Sequence, residues 1–277
     1  MKLTAIYTKQ NYKMYIDLLE KLKAPHTITR SNYTIRITCA FFDVYFHQNA
    51  QSKLAFATAN CIKADVKKAE KNGFVRPEID RLKLKYFHFN HREILKRTIG
   101  QDVYNIDIKS AYLNVLNNAG LLSEKTYLMA STAPKPVRLA CVGMLAARKD
   151  LFTYEGEGTE PTHSKIILDT ENWFFYCVEV IGQIMMGIAN LVGSSFLFFW
   201  VDGAFFLGEE NVLKVREYLD GLSYKYSFDV CRNFNYLEMT NHNYVTYEKE
   251  GKFTKLSMPR VNSEVIDVFL RHLKILK

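Results

Sequence analysis

The chain has 277 residues and carries 37 Lys and Arg against 29 Asp and Glu, a net charge of +8. A composition of 48% hydrophobic, 14% aromatic and 24% charged residues is that of a folded chain and excludes intrinsic disorder. The length suits two modest domains, and the positive balance favours a polyanionic partner, of which nucleic acid is the commonest.

At the N-terminus, MKLTAIYTKQNYKMY alternates polar and apolar residues, so no signal peptide is expected. Residues 32–47 are rich in β-branched and aromatic types and predict two strands or a long hairpin. A helix follows over residues 53–73 with Gly73 as its C-cap, and Lys63, Lys67, Lys68 and Lys71 give it a basic face. That face reads first as a solvated surface and second as a track for phosphates. Residues 78–100 mix Tyr86, Phe87 and Phe89 with Lys85 and Arg92. Such interleaving suits single-stranded nucleic acid, where bases stack on rings and phosphates meet cations, and it equally suits a strand with core-facing rings. A texture change near residue 100 predicts a boundary between a basic N-terminal α/β region (1–100) and a second domain (101–277).

Residues 103–107 read as a buried strand ending at Asp107, and residues 110–120 as a short helix closed by Gly120. An acid at a strand end can cap a helix. It can also reach a metal, with the carbonyl of Ile108 beside it, because magnesium takes hard oxygen ligands and keeps waters or phosphates in its shell. Residues 171–193 predict one strongly apolar helix, and its Glu179 and Gln183 argue against a membrane span. The next segment, SSFLFFWVDGAFFLG, predicts a tight hairpin with Asp202 at its tip. Asp-Gly is the commonest hairpin dipeptide, yet a carboxylate among so many aromatic rings requires a turn or a cation. Residues 244–255 predict a surface hairpin, and residues 261–277 an amphipathic helix. Five dispersed cysteines without a CxxC pair point to thiols in a reducing cytoplasm.

The run Asp107-Ile108-Lys109-Ser110-Ala111-Tyr112 resembles motif A of family B DNA polymerases, Asp-x-x-Ser-Leu-Tyr-Pro, with Leu113 at the proline. It is also similar to motif A of reverse transcriptases. Trp200-Val201-Asp202-Gly203-Ala204, preceded by a long helix, is similar to motif C. Aligned on the family B pattern Tyr-x-Asp-Thr-Asp, Ala204 stands at the second acid; aligned on the reverse-transcriptase Tyr-x-Asp-Asp, Asp202 takes the essential place.

The resemblance implies an α+β fold: a palm with an antiparallel sheet and helices on one face, a smaller N-terminal α/β region and a C-terminal helix. It implies Mg2+ or Mn2+ held by Asp107, Ile108 and Asp202, catalysis by the two acids, and exclusion of a ribose 2′-hydroxyl by Tyr112. Nucleotide contacts would come from Ser110, Arg148 and Lys149. Nucleic-acid contacts would come from Tyr244, Lys255, Lys85 and Arg92. No fingers motif, thumb or exonuclease pattern is legible, so a protein partner supplying those functions is expected alongside DNA, as primer-template or single strand. A non-catalytic palm-derived binding subunit and an α/β structural protein are the alternatives. The implied setting is the cytoplasm of a bacterial host, with a phage or mobile element as the source and no membrane.

Overall fold

The computed structural model describes residues 2–32, 34–89, 96, 98–147, 149–155, 160–238 and 243–258. Among them are seven α-helices and thirteen strands in two sheets, a mixed α+β architecture. The chain divides into two compact units. The first joins Met1–Lys83 to Tyr112–Cys177, the second Leu84–Ala111 to Val178–Lys277. In place of one boundary near residue 100, the chain passes between units at 83, 111 and 177. Strand hydrogen bonding, which sequence texture does not display, draws residues 84–111 into the second unit's sheet.

In the first unit the elements are β1 (Lys2–Ile6), α1 (Lys9–Leu22), β2 (His26–Arg30), β3 (Thr34–Cys39), β4 (Asp43–His47) and α2 (Ala50–Lys71). After the chain returns come α3 (Ala111–Asn118, its first residue in the second unit), α4 (Glu124–Thr132), α5 (Lys135–Gly143), β7 (Lys149–Tyr154) and β8 (Thr162–Ile166). The sheet order is β1-β4-β3-β2-β7-β8, with β1 and β4 parallel and the other neighbours antiparallel.

Local sequence accounts for the helix ends. Thr8 and Asn11 form a reciprocal capping box at the start of α1, and Asn49 caps α2 through Ser52. Gly73 ends α2 as its spacing predicts: φ is +97°, and Phe74 donates back to Ala69 at 3.0 Å. One face of the sheet packs Ile28, Ile37, Val44 and Phe46 against Leu19 of α1. At the far end of α2, Glu70 accepts two hydrogen bonds from Arg76 and one, at 2.7 Å, from the indole of fully buried Trp173.

The second unit is built on β5 (Phe87–Phe89), β6 (Val103–Ile108), β9 (Phe196–Trp200), β10 (Gly203–Phe206), β11 (Tyr226–Glu238), β12 (Asn243–Lys249) and β13 (Lys252–Met258). Its helices are the later part of α6 (Glu171–Val192) and α7 (Glu210–Gly221). The sheet order is β13-β12-β11-β6-β10-β9-β5, antiparallel throughout. Its centre, β11-β6-β10-β9, is a split β-α-β-β-α-β arrangement: β6 and β9 are joined by a long connection that includes β7 and β8 and ends in α6, β9 and β10 form a hairpin, and α7 leads to β11.

Alternation along these strands separates two faces. One carries Tyr104, Ile106, Ala204, Phe206 and Phe228 towards the helices. There Arg216 of α7 lies 4.8 Å over Phe228, and Gly187 of α6 is so close to Tyr218 that a Cβ would sit 2.2 Å from the hydroxyl. The other carries Val103, Phe198, Phe205 and Cys231 into a core completed by Phe234, Tyr236, Val245 and Tyr247. An irregularity between Arg232 and Asn235, with Asn233 at φ +51°, lets Cys231 and Phe234 share that core.

The predicted hairpin over 244–255 is β12 and β13, turning at Glu250-Gly251 with both φ positive. The expected C-terminal helix over 261–277 lies outside the described residues. Among the described residues one helix, Glu171–Ser195, is long and apolar enough to cross a membrane, and 56% of its apolar window is buried within the protein.

Candidate active site

One residue before the end of β6, Asp107 pairs directly across from Gly203 on β10, and Asp202 is the residue before Gly203. Trp200 pairs with Gly203, so Val201 and Asp202 alone form the turn. The backbone ties the two segments together, for Ile108 donates to the carbonyl of Asp202 at 3.0 Å. Two acids 95 positions apart in sequence are therefore neighbours at one end of the central ladder.

Gly203 shares a face with Asp107. A Cβ built on it would come 3.3 Å from Asp107 Oδ1 and 3.7 Å from Asn105 Nδ2, so the carboxylate leans over the glycine. Asn105, two residues before Asp107 on the same face, is buried and donates to the carbonyl of Ala204 at 3.2 Å. Ala204 is completely buried on the helix-covered face.

The backbone on both sides of the acids is in an unusual conformation. Val201 has φ +54° and Ser110, three residues after Asp107, φ +50°. A β-branched residue in the left-handed region costs on the order of 1–3 kcal/mol and persists only where surroundings impose it. Here Val201 donates to the carbonyl of Tyr86 at 2.7 Å, Phe87 pairs with Trp200, and Lys109 donates to Lys225 at 2.8 Å.

Two further charged residues line this face. Asp229 pairs with Asn105 across β11, one pleat from Ser227, which faces Asp107. It forms an ion pair with Lys249 of β12. Burial, then the charges of Cys231, Asp229 and Asp107, push the Tyr247 hydroxyl up to about 12, and burial alone accounts for most of the rise of Cys231 to about 12. A phenol with that affinity for its proton stays neutral at ordinary pH. Sequence inspection missed Asn105, Asp229, Tyr247 and Lys249. The period-two spacing before Asp107 signals Asn105; the others depend on strand register.

The remaining predicted residues divide. Tyr112 and Lys149 belong to the first unit, while Asp107, Ile108, Ser110 and Asp202 belong to the second. Tyr112 packs edge-on against Phe174 at 5.5 Å, and its carbonyl accepts the Cys177 thiol at 3.5 Å. Lys149 opens β7, and burial followed by the charge of Arg36 lowers its pKa. Lys85 is exposed just before β5. Tyr244 and Lys255 meet across the β12–β13 hairpin, the ammonium 3.8 Å over the ring. Alternation with Val245 and Tyr247 turns Tyr244 to the side of the hairpin away from the core that Asp107 borders. Arg148 and Arg92 lie outside the described residues.

Among the described residues no group of three or more His, Cys, Asp or Glu is arranged to hold a metal. The oxygen donors that the register brings to this end of the ladder are Asp107, Asp202 and the backbone carbonyls between the strands. That set suits a magnesium ion, which takes hard oxygen ligands and retains waters or substrate phosphates. It lacks the nitrogen and sulfur ligands of a zinc site. Neither protein-family models nor curated protein sequences show a match to the chain.

Proposed function

We propose that this chain is a polymerase-type palm protein that transfers a nucleotide to a nucleic-acid 3′ end, with DNA as its substrate. The carrying observation is the register that sets Asp107 opposite Gly203 and thus beside Asp202 at a two-residue turn. The β-α-β-β-α-β order of the sheet supports the same reading, because a palm presents its acids from the first strand and from the hairpin beside it.

Asp107, Asp202 and the carbonyl of Ile108 would hold Mg2+ or Mn2+. Bound there, a divalent ion supplies charge stabilisation for the attacking and leaving oxygens of phosphoryl transfer. The chain's own contribution is placement. Gly203 leaves room for the Asp107 carboxylate, the bonds from Ile108 and Val201 fix the turn, and Asn105 holds the strand pair in register. A protein partner would supply the missing fingers and thumb, and the setting would be the cytoplasm of a bacterium carrying a phage or mobile element.

Primer extension with Mg2+ or Mn2+ tests this reading. Incorporation should fall at least a hundredfold in both Asp107→Asn and Asp202→Asn; incorporation indifferent to either change would refute it. A second reading, a non-catalytic DNA-binding descendant of a palm, is favoured by Ala204, which stands where family B carries its second acid. It predicts salt-dependent DNA binding without incorporation.

A further inference from the structure

Helix α1 carries more apolar surface than its own unit covers. Tyr12, Tyr15, Ile16 and Leu19 pack into the core of the first unit. Outside that core Met14, Leu18 and Leu22, at i, i+4 and i+8, are 58%, 41% and 49% exposed, and Phe41 in the turn between β3 and β4 is 62% exposed. A groove of about 550 Å3 joins them, lined by Met14, Leu18, Phe41 and Phe42 together with Asp17 and Lys21. Apolar surface held together in water in this way marks a contact site.

The pattern along α1 is symmetric about Leu18. Met14 and Leu22 stand four residues to either side of it, so a second α1 laid antiparallel would set Leu18 on Leu18 and Met14 on Leu22 over about 12 Å of helix. Asp17 and Lys21 flank the stripe on one side, one turn apart. Among the described residues neither has an ion-pair partner. In an antiparallel pairing about a two-fold axis the same flanks meet, so Asp17 of each copy faces Lys21 of the other and two ion pairs form together. Along its length α1 carries Lys9, Lys13 and Lys21 against Asp17 and Glu20, so its own charge opposes such contact little, although the whole chain is +8.

We propose that the exposed stripe of α1 and the groove beside it form the interface of a homodimer, with a second copy of this chain packed antiparallel across Leu18. Self-complementarity favours a second copy over another partner, because an unrelated surface has no need of a stripe whose spacing and charges repeat under a two-fold axis. The area agrees. Each copy offers four large side chains about half exposed, or roughly 400 Å2 if a large side chain fully presented offers about 200 Å2. With their rims, two copies bury about 1,000 Å2, the lower end for a specific interface, which suits a reversible dimer with a Kd on the order of 10 μM. This surface lies in the first unit and does not rest on the roles given to Asp107 and Asp202.

The test is sedimentation velocity of the full chain from about 1 to about 100 μM, across which the parent should pass from monomer to dimer. Leu18→Glu, at an exposed position, should keep the parent's circular dichroism and raise Kd at least about tenfold. Asp17→Lys and Lys21→Asp should each weaken the dimer by about threefold to tenfold, because each sets like charges face to face. The double reversal Asp17→Lys/Lys21→Asp should return Kd to within about twofold of the parent, a rescue that a purely structural effect of either change does not produce. A parent still monomeric at about 100 μM would overturn the proposal, including one that instead binds anionic lipid vesicles through the same stripe. So would a dimer indifferent to Leu18→Glu, or a double reversal no tighter than the single ones.

Discussion

Two substitutions one residue apart probe the register at the candidate site, Ala204→Asp and Gly203→Asp. Ala204 is fully buried on the helix-covered face, so an aspartate there must be neutralised or remain an ion without a partner. Raising a carboxyl from about 3.9 to above 7 costs roughly 4 kcal/mol at pH 7, and the added volume in a packed core costs about 1–3 kcal/mol more. Against total stabilities of about 5–15 kcal/mol, Ala204→Asp should be largely or wholly unfolded. An aspartate at 203 stands beside Asp107, where a Cβ already comes within 3.3 Å of Oδ1. Two charges about 5 Å apart repel by about 3 kcal/mol at an effective dielectric constant of 20, and a divalent cation relieves that repulsion. Urea denaturation followed by tryptophan fluorescence, with and without 10 mM Mg2+, reads both effects. Gly203→Asp should lose about 1–3 kcal/mol and recover most of it with magnesium, whereas Ala204→Asp should recover nothing. Equal behaviour of the two variants would refute the register and the pairing of the acids.

Val201→Gly removes the strain of a β-branched residue at φ +54° but loses a partly buried isopropyl group and gains unfolded-state entropy. The expected net is a change of 0 to +1 kcal/mol in stability by urea titration, where Val103→Gly in the core should lose about 3 kcal/mol or more. Glu70→Leu leaves the buried Trp173 indole without its acceptor and should cost about 1–3 kcal/mol by the same titration. Lys63 gives a pH signature. Its folded pKa is near 8 and its ordinary value 10.5, so between those limits the unfolded chain holds more protons and stability climbs with pH. Lys63→Met should be more stable than the parent at pH 7 and should lose that rise in a denaturation series from pH 7 to 10.5.

Much of the fold was legible wherever local chemistry decides the outcome. Gly73 and Gly120 end their helices with φ of +97° and +71°, and Glu250-Gly251 turns its hairpin, because only residues tolerant of the left-handed region fit those positions. The N-terminal strand and α1 were not foreseen. Their alternation of polar and apolar residues separates no strand from a helix, while the capping box at Thr8 and Asn11 and the packing of Leu19 become visible only in the folded unit. The boundary near residue 100 followed texture, whereas compactness follows pairing: β6 is bound on both sides by strands more than ninety residues further on.

The site divides along the same line. Asp107 and Asp202 could be singled out because a strand end and a two-residue turn are local features. Asn105, Asp229 and Lys249 could not, because which residues flank an acid depends on register, and a slip of one residue would send each to the other face. Alternation also bears on the two motif C alignments. Gly203 stands beside Asp107 while Ala204 is turned into the core, so a side chain at 203 would share the face of Asp107 and one at 204 would not. A small apolar side chain at 204 is what a fully buried position takes, whatever the site beside it does.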